Sequence, residues 1–388
     1  MTATFAELFA ALAVEGSEHT AREIAQQPAV WRKLADLMAA SRSEIEAKIA
    51  PLVARRDVRV ILTGAGTSAF VGDTLAPALS ERLRRPVAAI PTTDIVASPR
   101  AIFASDQPTL LVSFARSGNS PESVAATELA EQCLAEVHHL IVTCNEEGHL
   151  ATEHADQERS TVLLMPAETN DKSFAMTSSF SSMLLAAWFA LAGAGDVEVR
   201  ATCEQAAAAG DTLFEQRAAD IKELAFTAPG RIVYLGSGSL AGVSNEAGLK
   251  ILELTAGKVV PWMDSSLGFR HGPKSVLDPQ TLAVMFISSD PYTRRYDLDM
   301  AHEMQAALPE GRLLVLAAET TDVAGARNWM LPGLAGASDV VLGLVGILVA
   351  QTIALFSSVN VGCTPDNPFP GGSVNRVVQG VIIHPLVG

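Results

Sequence analysis

Arg59-Val-Ile-Leu-Thr-Gly-Ala-Gly-Thr67 and Arg231-Ile-Val-Tyr-Leu-Gly-Ser-Gly-Ser239 carry one pattern twice, the second copy 172 residues after the first (position 231 against position 59). Each is a short β-branched apolar run, a Gly-x-Gly turn with hydroxyl residues, and then helix-forming sequence. Outward from both copies, short apolar runs alternate with Ala-rich helical stretches. In the first half the runs are Val58–Leu62, Thr109–Ser113, His139–Thr143 and Thr161–Met165. In the second half they are Arg231–Leu235, Thr281–Ser288, Leu313–Ala317 and Asp339–Val345. This alternation predicts βαβ units, and hence an α/β fold of two similar halves, each a parallel sheet flanked by helices in a Rossmann-like three-layer sandwich. A helical segment is expected over 1–56, with breaks near Pro28 and Pro51, then a first domain over 57–200 and a second over 201–363. A helical bridge is expected at about 196–228. The last stretch, 364–388, is rich in Pro, Gly and Asn and reads as a tail laid over something.

Bulk properties narrow the class. The 388 residues suffice for two α/β domains, and 48% hydrophobic against 18% charged residues describes a globular chain. A net charge of −15 argues against a nucleic-acid partner, although local Lys and Arg can still hold one small anion. Cys133, Cys144, Cys203 and Cys363 form no C-x-x-C pair, which fits a reduced, cytoplasmic setting. Met1–Val14 lacks a basic start and carries Glu7, so it reads as an amphipathic helix and not a signal peptide. Ser182–Gly195 is too short to cross a membrane. Val340–Val359 is long enough, but Gly343, Gly346, Gln351 and Thr352 favour a buried helix, and no membrane partner is expected.

The two loops of the first half carry the binding chemistry. In Thr63-Gly-Ala-Gly66-Thr67-Ser68-Ala69, glycines let the backbone approach a ligand, and the helix beyond offers unpaired N–H groups to an anion. Gly64, Gly66 and Ala69 also satisfy a dinucleotide-binding G-x-G-x-x-A, as do Gly236, Gly238 and Ala241, but in the first half the acidic residue that motif needs about 20 positions on is absent. A tight turn without a ligand is the bland alternative. The second loop, Ser113-Phe-Ala-Arg116-Ser117-Gly118-Asn119-Ser120-Pro121, follows a buried strand and opens a helix, with Ser120 at the cap position and Pro121 first in the helix. Its hydroxyls and helix N–H groups make a compact cradle sized for one phosphate. The second half lacks such a serine cluster, so the phosphate is expected in the first.

Together these loops resemble the phosphosugar-binding SIS (sugar isomerase) domain, and the resemblance covers nearly the whole chain after residue 50. It implies that Gly66, Thr67 and Ser68, then Arg116, Ser117, Gly118, Asn119 and Ser120, and a third stretch containing Thr177 and Ser178, surround a sugar phosphate.

An acid–base constellation follows. Glu246, Lys250 and Glu253 share one helix face, and the surrounding leucines predict an apolar setting that suits a general base. His271, in Arg270-His-Gly-Pro-Lys274, cannot continue a helix and is presented from a loop. A solvated Glu–Lys pair and a structural histidine are the plainer readings. The combination is similar to the isomerase domain of glucosamine-6-phosphate synthase. That resemblance implies Glu253 as the proton-transferring base, His271 as the ring-opening group contributed by a neighbouring subunit, and Lys250 as their electrostatic partner. It also implies a homodimer or larger assembly with active sites at the subunit interface. No glutamine-hydrolysing domain precedes the two halves, and the tail contains no lysine to match that family's tail lysine, leaving Arg376, His384 or nothing in its place.

Three further runs, 170–180, 295–299 and the N-P-F-P-G-G-x-V-N-R tail, most resemble the AgaS type, named both for galactosamine-6-phosphate deamination and for tagatose-6-phosphate ketose/aldose isomerisation. The implied function is an amino-sugar 6-phosphate deaminase/isomerase acting on a small phosphosugar. Plain ketose/aldose isomerisation and a non-catalytic sugar-phosphate sensor are the alternatives. No metal and no redox cofactor is expected, because a positioned base and oxyanion donors suffice for that chemistry.

Overall fold

The computed structural model describes residues 15–227, 229–376, 378 and 380–387. It contains two five-stranded, wholly parallel sheets. The first is built from β1 (Arg59–Thr63), β2 (Val87–Ala89), β3 (Thr109–Ala115), β4 (Val137–Thr143) and β5 (Ser160–Leu164), in the order β2-β1-β3-β4-β5. The second comprises β6 (Arg231–Gly236), β7 (Val260–Ser265), β8 (Leu282–Ile287), β9 (Leu313–Ala317) and β10 (Arg327–Met330), in the order β10-β9-β8-β6-β7. Counted from their own first strands, both sheets share one order. In each, the first strand sends its chain to opposite sides, which opens a crevice at the carboxyl ends of β1 and β3, and of β6 and β8.

The chain folds as two compact units. One contains Val30–Asp171, Ser178–Cys203 and the described residues of the tail from Val374. The other contains the described residues up to Ala29, Lys172–Thr177 and Glu204–Ser373. Helices Glu18–Ala25, Gln27–Glu44 and Ala50–Ala54 occupy the stretch ahead of β1, and a π-helical turn, Ile45–Ile49, stands just before Pro51. The helix expected over Met1–Val14 lies outside the described residues. The bridge is one long helix, Asp196–Phe226.

The stretch Asp339–Val345 is not a strand. It opens a single helix, Asp339–Asn360, whose apolar window is 100% buried and which packs against the helix Ser239–Leu254. Valine-rich sequence reads as a strand over seven residues, but here a largely apolar helix continues for 22 residues and the surrounding protein buries nearly all of it. Gly343 permits the close approach, since a Cβ there would lie 2.6 Å from Val243 Cγ2. By length and composition this helix could cross a membrane; in the structure it is a core helix.

Candidate active site

The crevice at the ends of β1 and β3 is formed by the two loops singled out above. Register places Thr63 beside Ser113, so the loops leave the sheet side by side. Gly66 adopts φ +56°, ψ −128° at the start of the helix Thr67–Leu83, and a Cβ on Gly64 would lie 2.6 Å from the Ser68 backbone. Both positions therefore require glycine. Thr67 and Ser68 are buried in the first turn, beneath an exposed Gly66.

The second loop is held from beneath. Gly118, at φ +68°, rests on Gly148, where a Cβ would come within 2.5 Å of the Ser117 carbonyl. Asn145 Nδ2 donates to that same carbonyl at 2.9 Å, and the Leu150 N–H donates to Gly118 O at 3.1 Å. Asn119 Oδ1 accepts the His149 N–H at 2.9 Å, so this side chain braces the loop. Ser120 stands at the cap position of Pro121–Cys133, yet its hydroxyl makes no capping bond. It donates to Glu122 Oε2 at 2.8 Å instead, because the acceptor two residues on is a full carboxylate. Ser117 Oγ accepts the Asn119 N–H at 3.3 Å, which leaves its own proton to donate. The Arg116 side chain is buried at the root of the loop and donates to the Arg376 carbonyl at 3.2 Å. Arg376 in turn donates to the Asp171 carbonyl, which brings the tail onto the cradle loop. Farther along the tail, the Leu386 and Val387 carbonyls accept from Gln132 and Arg100.

Of the third stretch, Thr177 is buried in the unit that holds the second sheet. Ser178 belongs with the first sheet and donates to Asp171 Oδ1, while Ser179 donates both its N–H (2.9 Å) and its hydroxyl (2.6 Å) to Asp171 Oδ2. Asp171 thus caps the helix Ser178–Ala192, a role the sequence did not reveal.

The corresponding crevice of the second sheet is built alike and filled differently. Gly238 repeats Gly66 almost to the degree, at φ +57°, ψ −125°. Here, however, Ser237 Oγ donates to Asp297 Oδ1 at 2.5 Å and the Ser288 N–H to Asp297 Oδ2 at 3.0 Å. Ser288 Oγ and the Ser289 N–H each donate to Asp339 at 2.6 Å. Two of the protein's own carboxylates therefore occupy the donors that an incoming anion would need. Burial pushes the Asp297 carboxyl above its usual range, against the pull of the Ser237 hydrogen bond.

Glu246, Lys250 and Glu253 do lie on one face of the helix Ser239–Leu254, but their surroundings differ from the apolar setting expected. Lys250 and Glu246 are fully buried, and Lys250 Nζ lies 2.6 Å from Glu253 Oε2 and 3.4 Å from Glu246 Oε1. Desolvation opposes the ammonium charge, yet the two carboxylates outweigh it and raise the Lys250 pKa. Glu253 keeps 23% of its side chain exposed, while Oε2, the oxygen that meets Lys250, is shielded from solvent. Leu252, placed by sequence among the burying residues, is itself exposed.

His271 sits between two short 3₁₀ turns, Gly268–Arg270 and Pro273–Val276, with Gly272 at φ +115° carrying the bend. It is exposed, as a residue presented from a loop should be. Among the described residues no cluster of three or more metal-ligating side chains occurs.

Comparison with known proteins agrees with this architecture. The SIS domain family model matches residues 52–193. A relative from Streptomyces coelicolor is 54% identical over 375 residues, spanning 96% of this chain and 97% of its own. The Escherichia coli D-galactosamine-6-phosphate deaminase AgaS is 46% identical over 371 residues, 94% of this chain and 95% of that one. The crystal structure of tagatose-6-phosphate ketose/aldose isomerase from Escherichia coli superposes with a TM-score of 0.87 at 43% identity, covering 95% of this chain and 96% of the other. The chain belongs to the AgaS family of SIS-domain proteins.

Proposed function

We propose that this member of the AgaS family is an amino-sugar 6-phosphate deaminase/isomerase, converting galactosamine 6-phosphate to tagatose 6-phosphate and ammonia. The observation that carries the reading is the buried Lys250 holding Glu253 at 2.6 Å, which fixes the carboxylate of a side chain that is only partly buried. His271 opens the sugar ring. Glu253 takes the proton from C2 of the open chain and returns it to C1; the resulting C2 imine adds water and loses ammonia, leaving the ketone. Ser117, Ser68, Thr67 and the N–H groups of the Gly66 and Gly118 turns take the phosphate, with Arg116, Asn119 and Ser120 shaping the cradle and Thr177 and Ser178 contributing from the third stretch. Residues 364–388 form a tail over the active site, residues 1–56 a helical lead-in, and 57–200 and 201–363 the two SIS domains. The activity is placed in the cytoplasm.

We further propose a homodimer or larger assembly in which His271 completes a neighbour's site. Supporting it, Leu252, Val260, Trp262 and Leu267 are exposed on the helix Ser239–Leu254, the edge strand β7 packed against it, and the loop that follows. Mixing Glu253→Gln with His271→Ala subunits should then restore part of the activity.

The deciding assay offers galactosamine 6-phosphate, glucosamine 6-phosphate and tagatose 6-phosphate, and measures ammonia and ketose separately. Ammonia formed with ketose supports deamination, and Glu253→Gln should lower that turnover by about 10²–10⁴-fold with binding nearly unchanged. Interconversion of tagatose 6-phosphate with its aldose, without ammonia from either amino sugar, would hand the chain to the isomerase reading, which the name of the Escherichia coli structural neighbour favours.

A further inference from the structure

Glu303 is exposed in part, lies on the helix Thr293–Ala307 and belongs to none of the motifs above. Its two oxygens are nonetheless both taken: Arg270 Nε reaches Oε2 at 2.6 Å and Lys274 Nζ reaches Oε1 at 2.6 Å. The Lys274 and Arg270 bonds hold this carboxyl below its ordinary range. The two cations are the residues that bracket His271-Gly272-Pro273. On the inner side of the same turn, Phe269 is fully buried in a cluster with Met300 and Met304, which lie on the helix that carries Glu303. The His271 turn is therefore tied to one helix at three points, through Arg270, Lys274 and Phe269, while its imidazole stays exposed.

Stability alone does not account for such a clamp, because exposed ion pairs contribute little to it. The bend it restrains is one that needs restraint, since Gly272 supplies a flexible left-handed hinge directly beside the histidine. We propose that Glu303 is a positioning residue for His271, bridging Arg270 and Lys274 so that the imidazole is held in the orientation needed for ring opening. The inference rests on the reading of His271 given above. It also assigns the turn's two cations to the clamp, not to the phosphate.

The test is a double-mutant cycle. Glu303→Gln keeps the shape of the side chain but can no longer bind both cations as an anion. It should lower kcat about 10–100-fold with KM changed less than about twofold, since loss of sub-ångström alignment affects the reacting geometry more than binding. Placed in the His271→Ala background, the same substitution should add no further loss, because the group it positions is gone. Lys274→Met, which removes half of the clamp, should fall between wild type and Glu303→Gln. A Glu303→Gln enzyme as active as wild type would overturn the inference. So would an equal fold-loss in both backgrounds, which marks a general structural role. Wild-type turnover in His271→Ala itself would instead remove the underlying reading of the histidine, so the two failures are told apart.

Discussion

Lys250→Met should be the most damaging single substitution on the helix Ser239–Leu254, and the structure sets its size. Methionine fills a comparable volume, so the loss is electrostatic and not a cavity. Lys250 and Glu246 are both at 0% side-chain exposure with 3.4 Å between their charged groups, and Glu253 lies 2.6 Å away on the other side. Removing the ammonium takes its cation from a carboxylate buried in low dielectric, a change worth about 3–5 kcal/mol. For a folding unit of roughly 200 residues, each kcal/mol moves Tm by about 2–4 °C, so the unit holding the second sheet should melt ~6–20 °C lower. Adding Glu246→Gln should recover most of that loss, because the stranded charge is then gone. The measurement is thermal and urea unfolding followed by circular dichroism for wild type, Lys250→Met and the double variant. A Lys250→Met protein within ~1 kcal/mol of wild type would refute the reasoning, and so would a double variant no more stable than the single.

Other outcomes follow from the crevices and the core. Ser117→Ala should weaken phosphosugar binding by about 1–2 kcal/mol while leaving a non-phosphorylated sugar nearly unaffected, and equal losses on both would dismiss Ser117 as a phosphate ligand. Calorimetric titration should find one phosphosugar per chain, because Asp297 and Asp339 already occupy the second crevice; two per chain would overturn that account. His154 is pushed down to about 4 by burial, with His139 adding to the effect at a ring distance of 4.6 Å. The unfolded chain therefore takes up a proton near pH 6.5 that the folded chain refuses, so stability is full above that pH and falls as pH drops toward 4. The loss approaches ~3 kcal/mol, and His154→Leu should reduce the slope of Tm against pH across that window, leaving the part due to His139, which burial also pushes down.

What the sequence revealed, and what it hid, divides along physical lines. Interior strands β1, β3, β4, β6, β8 and β9 are mainly apolar and almost wholly buried because parallel sheets are covered on both faces. The three strands that sequence reasoning passed over, β2, β7 and β10, all lie at sheet edges. There one side of the backbone is unpaired and the pattern is broken: β7 includes Pro261 and exposes Val260 and Trp262. The site divides in the same way. Glycines at 64, 66, 118, 236 and 238 were legible because a turn of that kind constrains the residue locally. Partners brought from a distance were not. Asp171 lies within a run already singled out, yet nothing local says that its carboxylate caps a helix beginning seven residues later. Asp297 lies within another such run, and its partner Ser237 is 60 residues away.

That last pair explains why two halves of one topology need not hold two ligands. A switch-point crevice gathers backbone N–H groups and hydroxyls at the ends of two neighbouring strands, where they face inward and are largely shielded from water. Donors so placed need an acceptor, or each one carries a desolvation penalty. In the first sheet the glycine turns are open, the Ser117 hydroxyl only accepts a bond from Asn119 among the described residues of its loop, and the Arg116 guanidinium at the root reinforces the positive field. In the second sheet, the donors at Ser237 (which stands where the first loop has Ala65), Ser288 and Ser289 are met by Asp297 and Asp339 at 2.5–3.0 Å. Those carboxylates do for the fold what a phosphate would do for the first crevice, and their negative charge repels any further anion. The unit so closed is the one that carries Glu253, Lys250 and His271. With its donors met in this way, that crevice does not need to open for a ligand of its own.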